Sequence, residues 1–279
     1  MEIFRILITA IFLLAVNFCF PEKSFADNNS KLSSNSPTNA NGEYVRKRFL
    51  QLMKKPFDTD SQNINQTKIL IIGDSHAQDF LNAIAENKLL THSQIRTRYI
   101  PTRCQIYLGN TSHREVHKND VTLCQKSDSL ELAEAQIAEA DVIILSALWR
   151  MWAVKALPKT IANLRLSPEQ KLFVIGRRSF LKPDTQVMQY LDKNQRLKLR
   201  NKVDIHQLDI NTLMAKLLDE QVFVDVHNVV CGPGSSCPVF TDKAKIISFD
   251  GGHLSRDGAR YLGNILFKNS QLSALTESL

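Results

Sequence analysis

A chain of 279 residues is long enough for one domain with a complete hydrophobic core, and 43% hydrophobic against 23% charged residues is an ordinary soluble composition. A net charge of +7 would draw it towards anionic polymers or lipid headgroups if its basic surface has a partner. No nucleic-acid motif accompanies that charge, and nucleic acid is excluded as a partner.

The first elements are those of an exported protein. Arg5 precedes an apolar run from Ile6 to Phe20, which ends in Pro21 and Ser24-Phe25-Ala26. That order predicts a signal peptide over 1–26, cleaved after Ala26. The run is shorter than the ~20 apolar residues of a spanning helix. Val16-Asn17-Phe18 before Cys19 lacks the small residues of a lipoprotein signal. Expected localisation is therefore periplasmic or otherwise extracytoplasmic. Cleavage leaves Cys104, Cys124, Cys231 and Cys237 in an oxidising compartment, where disulfides are the natural reading. Of the three possible pairings, neighbours in sequence are favoured: Cys104–Cys124 and Cys231–Cys237. Neither pair has zinc-site C-x-x-C spacing, and no metal or cofactor is expected. His113 and His117 have the four-residue spacing of a helical metal site but lie among polar residues typical of a loop.

Residues 27–66 read as a flexible tether, rich in Asn and Ser, holding a short basic helix over Glu43–Met53. Such a helix either touches a membrane surface or packs on the domain that follows. From Lys68 strands alternate with helices. Ile69–Ile72 is a buried strand, Ala77–Leu89 a helix and Ile95–Ile100 a strand. A helix over Ser129–Ala140 and strands over Val142–Ser146 and Leu172–Ile175 come next. Helices over Gln186–Arg200 and Ile205–Asp219, a strand over Val222–Val226 and a helix over Ser255–Phe267 complete the pattern. The pattern predicts an α/β fold over 67–279: a three-layer α/β/α sandwich with a mainly parallel sheet.

In such sheets chemistry gathers at the carboxyl ends of the strands. Gly73-Asp74-Ser75-His76 stands there, between the first strand and its helix. Gly73 permits the tight turn. Ser75 gains an exposed hydroxyl and an amide at a helix N-terminus, where a developing oxyanion is stabilised. The motif alone is weak, because Asp74 or Ser75 also serves as an ordinary helix cap. A second block, Asp250-Gly251-Gly252-His253-Leu254-Ser255, supplies what is missing. An Asp three residues before a His can accept its Nδ1–H and leave Nε2 to take the serine proton.

These residues resemble the SGNH/GDSL esterases and acyltransferases, above all the SGNH domain fused to bacterial membrane acyltransferases. The likeness rests on Gly73–His76, on Val142–Trp149, and on Asp250–Ser255 with Gly258-Ala259. It implies Ser75 as acylated nucleophile, His253 as general base and acid, Asp250 as its orienter, and the Ser75 amide as one oxyanion donor. The wider superfamily takes its other donors from a Gly and an Asn. Here Trp149 stands at the expected Asn position; Arg150 is the candidate substitute and Gly109 a candidate Gly. His76 would line the site, and Trp149 with Trp152 form either a sugar platform or core. The implied function is removal or transfer of an O-acyl group, foremost acetyl, on an envelope polysaccharide. A transferase would need a membrane acyltransferase partner. The other classes are a catalytically weakened glycan-binding module and, less favoured, a lipase.

Overall fold

The structure, a computed structural model, describes residues 37–59, 65–109 and 115–277. The signal segment expected over 1–26 and the candidate His113 lie outside the described residues.

Four apolar residues in a row, Ile69–Ile72, are all buried only if a strand is covered on both faces, and β1 (Lys68–Gly73) is such a strand. Helix α1 (Pro37–Gln51) precedes it; α2 (Ser75–Glu86) and β2 (Gln94–Tyr99) follow. Two short helices, α3 (Val121–Lys126) and α4 (Glu134–Glu139), lead to β3 (Val142–Ser146). Then come α5 (Met151–Leu164), β4 (Lys171–Ile175), α6 (Thr185–Met188), α7 (Lys193–Lys198) and β5 (Arg200–Lys202). α8 (Ile205–Leu217), β6 (Phe223–Val224), α9 (Val226–Cys231), β7 (Ser236–Pro238), α10 (Arg256–Asn269) and α11 (Ala274–Glu277) complete the described chain.

Five strands form one parallel sheet in the order β2-β1-β3-β4-β6, and β5 pairs with β7 in a small antiparallel ribbon. The period of two along β1 sorts its side chains into two cores. Ile69 and Ile71 pack with Phe80 and Ile84 of α2 and with Leu262 and Leu266 of α10. Leu70 and Ile72 pack with Val154 and Leu157 of α5 and with Ile210 and Met214 of α8. Each such side chain contributes roughly 1.5–3 kcal/mol. The α/β/α sandwich read from the sequence is therefore the fold.

The strand order also locates the site. The chain leaves β1 to form β2 on one side, then crosses to β3 on the other. Its direction reverses at the carboxyl end of β1, where a crevice opens. Register places Gly73 beside both Tyr99 and Ser146, so three strands end level around Ser75. A Cβ on Gly73 would overlap the Ser146 carbonyl oxygen, which makes glycine obligatory for this approach.

Several elements differ from expectation. Met151–Leu164 is a full helix that the sequence did not announce, with Pro158 inside it. The helix expected over Gln186–Arg200 is broken into α6 and α7, because Asp184 and Asp192 each cap a new start. Only Glu134–Glu139 of the Ser129–Ala140 segment is α-helical. The last expected strand shortens to Phe223–Val224, and α9 takes over at Val226. The basic helix begins earlier, at Pro37, and is docked on the domain: Val45 and Phe49 are buried, and Thr97 Oγ1 donates to the Phe49 carbonyl at 2.8 Å.

Candidate active site

Asp74 caps α2. Its Oδ1 accepts the His76 amide at 2.8 Å, satisfying one of the free N–H groups of the first turn. Its Oδ2 accepts Thr102 Oγ1 at 2.7 Å and the Leu148 amide at 2.9 Å. One fully buried carboxylate thus joins the ends of β1, β2 and β3. Burial raises its carboxyl above the usual value, against the hydrogen bonds it accepts. The Ser75 amide is the first of α2 and has no acceptor within the helix, as an oxyanion donor requires.

The second block turns sharply at Gly251, which has a φ of +86° and sits against the backbone of Leu181 and Lys182. That turn folds Asp250 back over its own loop. Asp250 Oδ1 accepts the amides of Gly252 at 2.8 Å and His253 at 2.7 Å, while Oδ2 faces His253 Nδ1 at 2.7 Å. Burial would raise the Asp250 carboxyl, but the bonds from the His253 ring and from these amides outweigh it. The carboxyl is held well below its usual range. An ionised carboxylate only accepts, so His253 Nδ1 carries the proton and Nε2 is the free acceptor. Ser75 Oγ lies 3.0 Å from that nitrogen. The bond to Asp250 raises the His253 pKa above the usual imidazole value; burial opposes this, and the charge on Asp79 supports it.

Beside these residues lies a cavity of about 490 Å³. Its walls are Ser75, Gln78 and Asp79 of α2, the Phe249–Ser255 loop, and Gly42, Glu43, Val45 and Arg46 of α1. The α1 wall, and Asp79 with Arg178, were not singled out from the sequence. Asp79 is one helical turn from Ser75, a spacing that could have raised it. Arg178 follows β4 at the same sheet edge, a weaker signal.

The structure brings Ser75, His253 and Asp250 together, keeps Gly73 and Asp74 in the turn before Ser75, and gives His76, Trp149, Arg150 and Gly109 other places. His76 is buried. Burial, followed by the nearby Arg178, drives its pKa well below the usual imidazole value, which favours the uncharged ring. Trp149 is fully buried, and its indole N–H donates to the Ile175 carbonyl at 2.8 Å. It is a core residue, with no face for a sugar, and its indole donor is already engaged. Trp152 stacks at a tilt on Tyr107, 5.6 Å between ring centroids. The Arg150 amide donates to Gln105 Oε1 at 2.8 Å, and Gln105 Nε2 donates in turn to the Thr102 and Leu148 carbonyls. Among the described residues the Arg150 guanidinium has no hydrogen-bond partner, and it does not line the cavity. Gly109 stands against the Asn163 side chain, in a different cavity.

Both expected disulfides are present. Cys104–Cys124 fastens the segment after β2 to α3, and Cys231–Cys237 fastens α9 to β7. His227, Cys231 and Cys237 form the one metal-like cluster among the described residues, but both sulfurs are engaged in the bridge. No described helix is long and apolar enough to cross a membrane.

Residues 38–268 match the family described as "SGNH domain (fused to AT3 domains)". Among solved structures the chain is similar to the lipopolysaccharide acetyltransferase periplasmic domain of Salmonella ser. Paratyphi A, with 15% identity and a TM-score of 0.55. The likeness covers 85% of this chain and 97% of that one. At that identity it concerns the fold. The search of curated proteins found no match.

Proposed function

Because the chain belongs to the family of SGNH domains fused to AT3 domains, a family of ester and acyl-transfer chemistry, we propose that it is a serine-dependent O-acyl esterase or acyltransferase. Its substrate is an acylated, foremost O-acetylated, envelope glycan. The observation that carries this reading is the relay from Asp250 Oδ2 through His253 to Ser75 Oγ, 2.7 Å and 3.0 Å long.

In the proposed mechanism His253 Nε2 takes the Ser75 proton as Oγ attacks the acyl carbonyl. The negative oxygen of the tetrahedral intermediate meets the Ser75 amide at the α2 N-terminus. Asp250 holds the ring in the productive tautomer and stabilises the imidazolium. His253 then returns the proton to the departing sugar oxygen, leaving acyl-Ser75. Water or a second sugar hydroxyl, deprotonated by His253, attacks the acyl carbon; the bond to Ser75 Oγ breaks and His253 returns the proton to that oxygen. Water as acceptor makes the chain an esterase. A sugar makes it a transferase that draws its acyl group from a membrane acyltransferase partner, a context in keeping with the AT3 domains to which relatives are fused. Two disulfides favour an oxidising, extracytoplasmic location.

A second reading has its own support. The Leu148 and Arg150 amides and the Trp149 indole are all engaged, which leaves the β3 side of the site short of oxyanion donors. That arrangement suits a glycan-binding module with weakened chemistry. Hydrolysis of p-nitrophenyl acetate separates the two. Turnover abolished by both Ser75→Ala and His253→Ala is the expected result; a folded wild type with no turnover favours the binding module.

A further inference from the structure

We propose that Asp79 and Arg178 form a positioning pair that sets His253 against Ser75. The inference rests on the reading of those two residues as base and nucleophile. Asp79 lies one turn beyond Ser75 on α2, Arg178 lies just past β4, and their side chains are only 4% and 3% exposed. A single oxygen, Asp79 Oδ2, accepts from Arg178 Nη2 at 2.5 Å and from the Leu254 amide at 3.1 Å. Leu254 is the residue after His253. Its amide therefore ties the imidazole-bearing loop directly to the helix that begins at Ser75.

The other end of the guanidinium meets the residue after the nucleophile. Arg178 Nη1 lies 3.2 Å from His76 Nδ1. A guanidinium donates and never accepts, so His76 is fixed as an acceptor at Nδ1. One carboxylate and one guanidinium thus join the first turn of α2, the segment after β4 and the 250–255 loop. Stability alone is a poor reason for such a pair, since well-packed apolar side chains often replace buried ion pairs without loss. Contacts to both neighbours of the reacting groups are a better one.

Charge adds a readout. His253 faces Asp250 through its hydrogen bond, and Asp79, Arg178 and His76 from α2 and the β4 end. Glu43 and Arg46 stand on the α1 wall of the same cavity. Of these, Asp79 favours the protonated imidazole and Arg178 opposes it.

Three variants test the pair. Asp79→Asn keeps an oxygen for both bonds and removes the charge. The expected result is a His253 titration, followed by NMR, that moves to lower pH, with the acid limb of kcat/KM moving alongside and kcat falling less than about tenfold. Asp79→Leu removes the tie as well, and kcat should fall about 10²-fold, as a displacement near 1 Å would cause, with any rise in KM from the altered cavity wall much smaller than that fall. Arg178→Lys replaces the rigid two-pronged fork, which reaches Asp79 and His76 with separate nitrogens, by one flexible ammonium, and kcat should fall about tenfold. If Asp79→Leu does not fold, the two milder variants decide. An unmoved His253 titration in folded Asp79→Asn, with kcat unchanged in folded Arg178→Lys, overturns the proposal. The titration needs no turnover, so an inactive wild type would contradict the esterase reading and still leave the pair tested.

Discussion

Asp250 and His253 are each about half exposed, and their hydrogen bonds still shift both titrations in opposite directions. A histidine serves as a base only when neutral, and that is the state the proposed role requires of His253. Because its pKa is raised, activity should disappear as pH falls through a value above the ordinary imidazole figure of ~6.5. Replacing Asp250 with Asn removes the charge and the fixed tautomer together. In Asp250→Asn the acid limb of kcat/KM should move to lower pH, while kcat drops about 10²–10⁴-fold. A pH–rate profile of both proteins checks both shifts; an unmoved limb would mean that Asp250 does not govern His253. The meeting of Ser75, Asp250 and His253, the proposed triad, was legible in the sequence because each lies in a short block whose residue types and local turn suggest that chemistry. Arg178 was not, since it meets Asp79 across 99 residues and nothing local marks it. For Trp149 the sequence left sugar platform and core both open. Its place after β3 was readable, but that its ring lies in the core beneath the Ile175 carbonyl is a tertiary fact.

Helix α1 was read as basic, and it is, yet its charges point to a docking role. Arg48 reaches Asn82 at 2.5 Å and Glu86 at 3.5 Å, and Tyr44 donates to Glu86 at 2.9 Å. Arg260 of α10 meets the same Glu86 at 3.0 Å, so one carboxylate gathers α1, α2 and α10. Val45 and Phe49 supply the apolar contact that holds α1 in place. Phe49→Ala should cost about 3–5 kcal/mol in denaturant unfolding. It should also raise KM for a glycan ester, because Glu43 and Arg46 on α1 form one wall of the cavity. A stability change within about 0.5 kcal/mol would mean that α1 is not part of the folded core. Element by element, the buried strands were the easiest to read, since runs such as Val142–Leu145 fit no exposed structure. Helix α5 escaped because Pro158 usually ends a helix, whereas here it lies within one whose Val154 and Leu157 are held by the core. The break between α6 and α7 depends on two aspartate caps that an amphipathic count ignores.

Across the whole molecule, alternating strands and helices predicted the layered sheet, but not its order. The return from β2 past β1 to β3 is what opens the crevice at Ser75, and no local pattern records it. Pairing of β5 with β7 was equally hidden, being three residues of ribbon between distant segments. The disulfides were readable because few pairings existed and neighbours were favoured; they fasten two of the connections that surround the sheet. The fold thus converges the first block of the sequence and the last on one crevice, with a bonded relay ending at a serine oxygen. An enzyme built this way must carry the acyl group on that oxygen during turnover. The direct measurement is peptide mass mapping after rapid acid quench of the chain mixed with p-nitrophenyl acetate. One acetyl group on the peptide containing Ser75, absent from Ser75→Ala and from a boiled control, is the predicted result. Turnover with the label on another residue, or a folded wild type that takes no label on Ser75 at any quench time, would contradict the account.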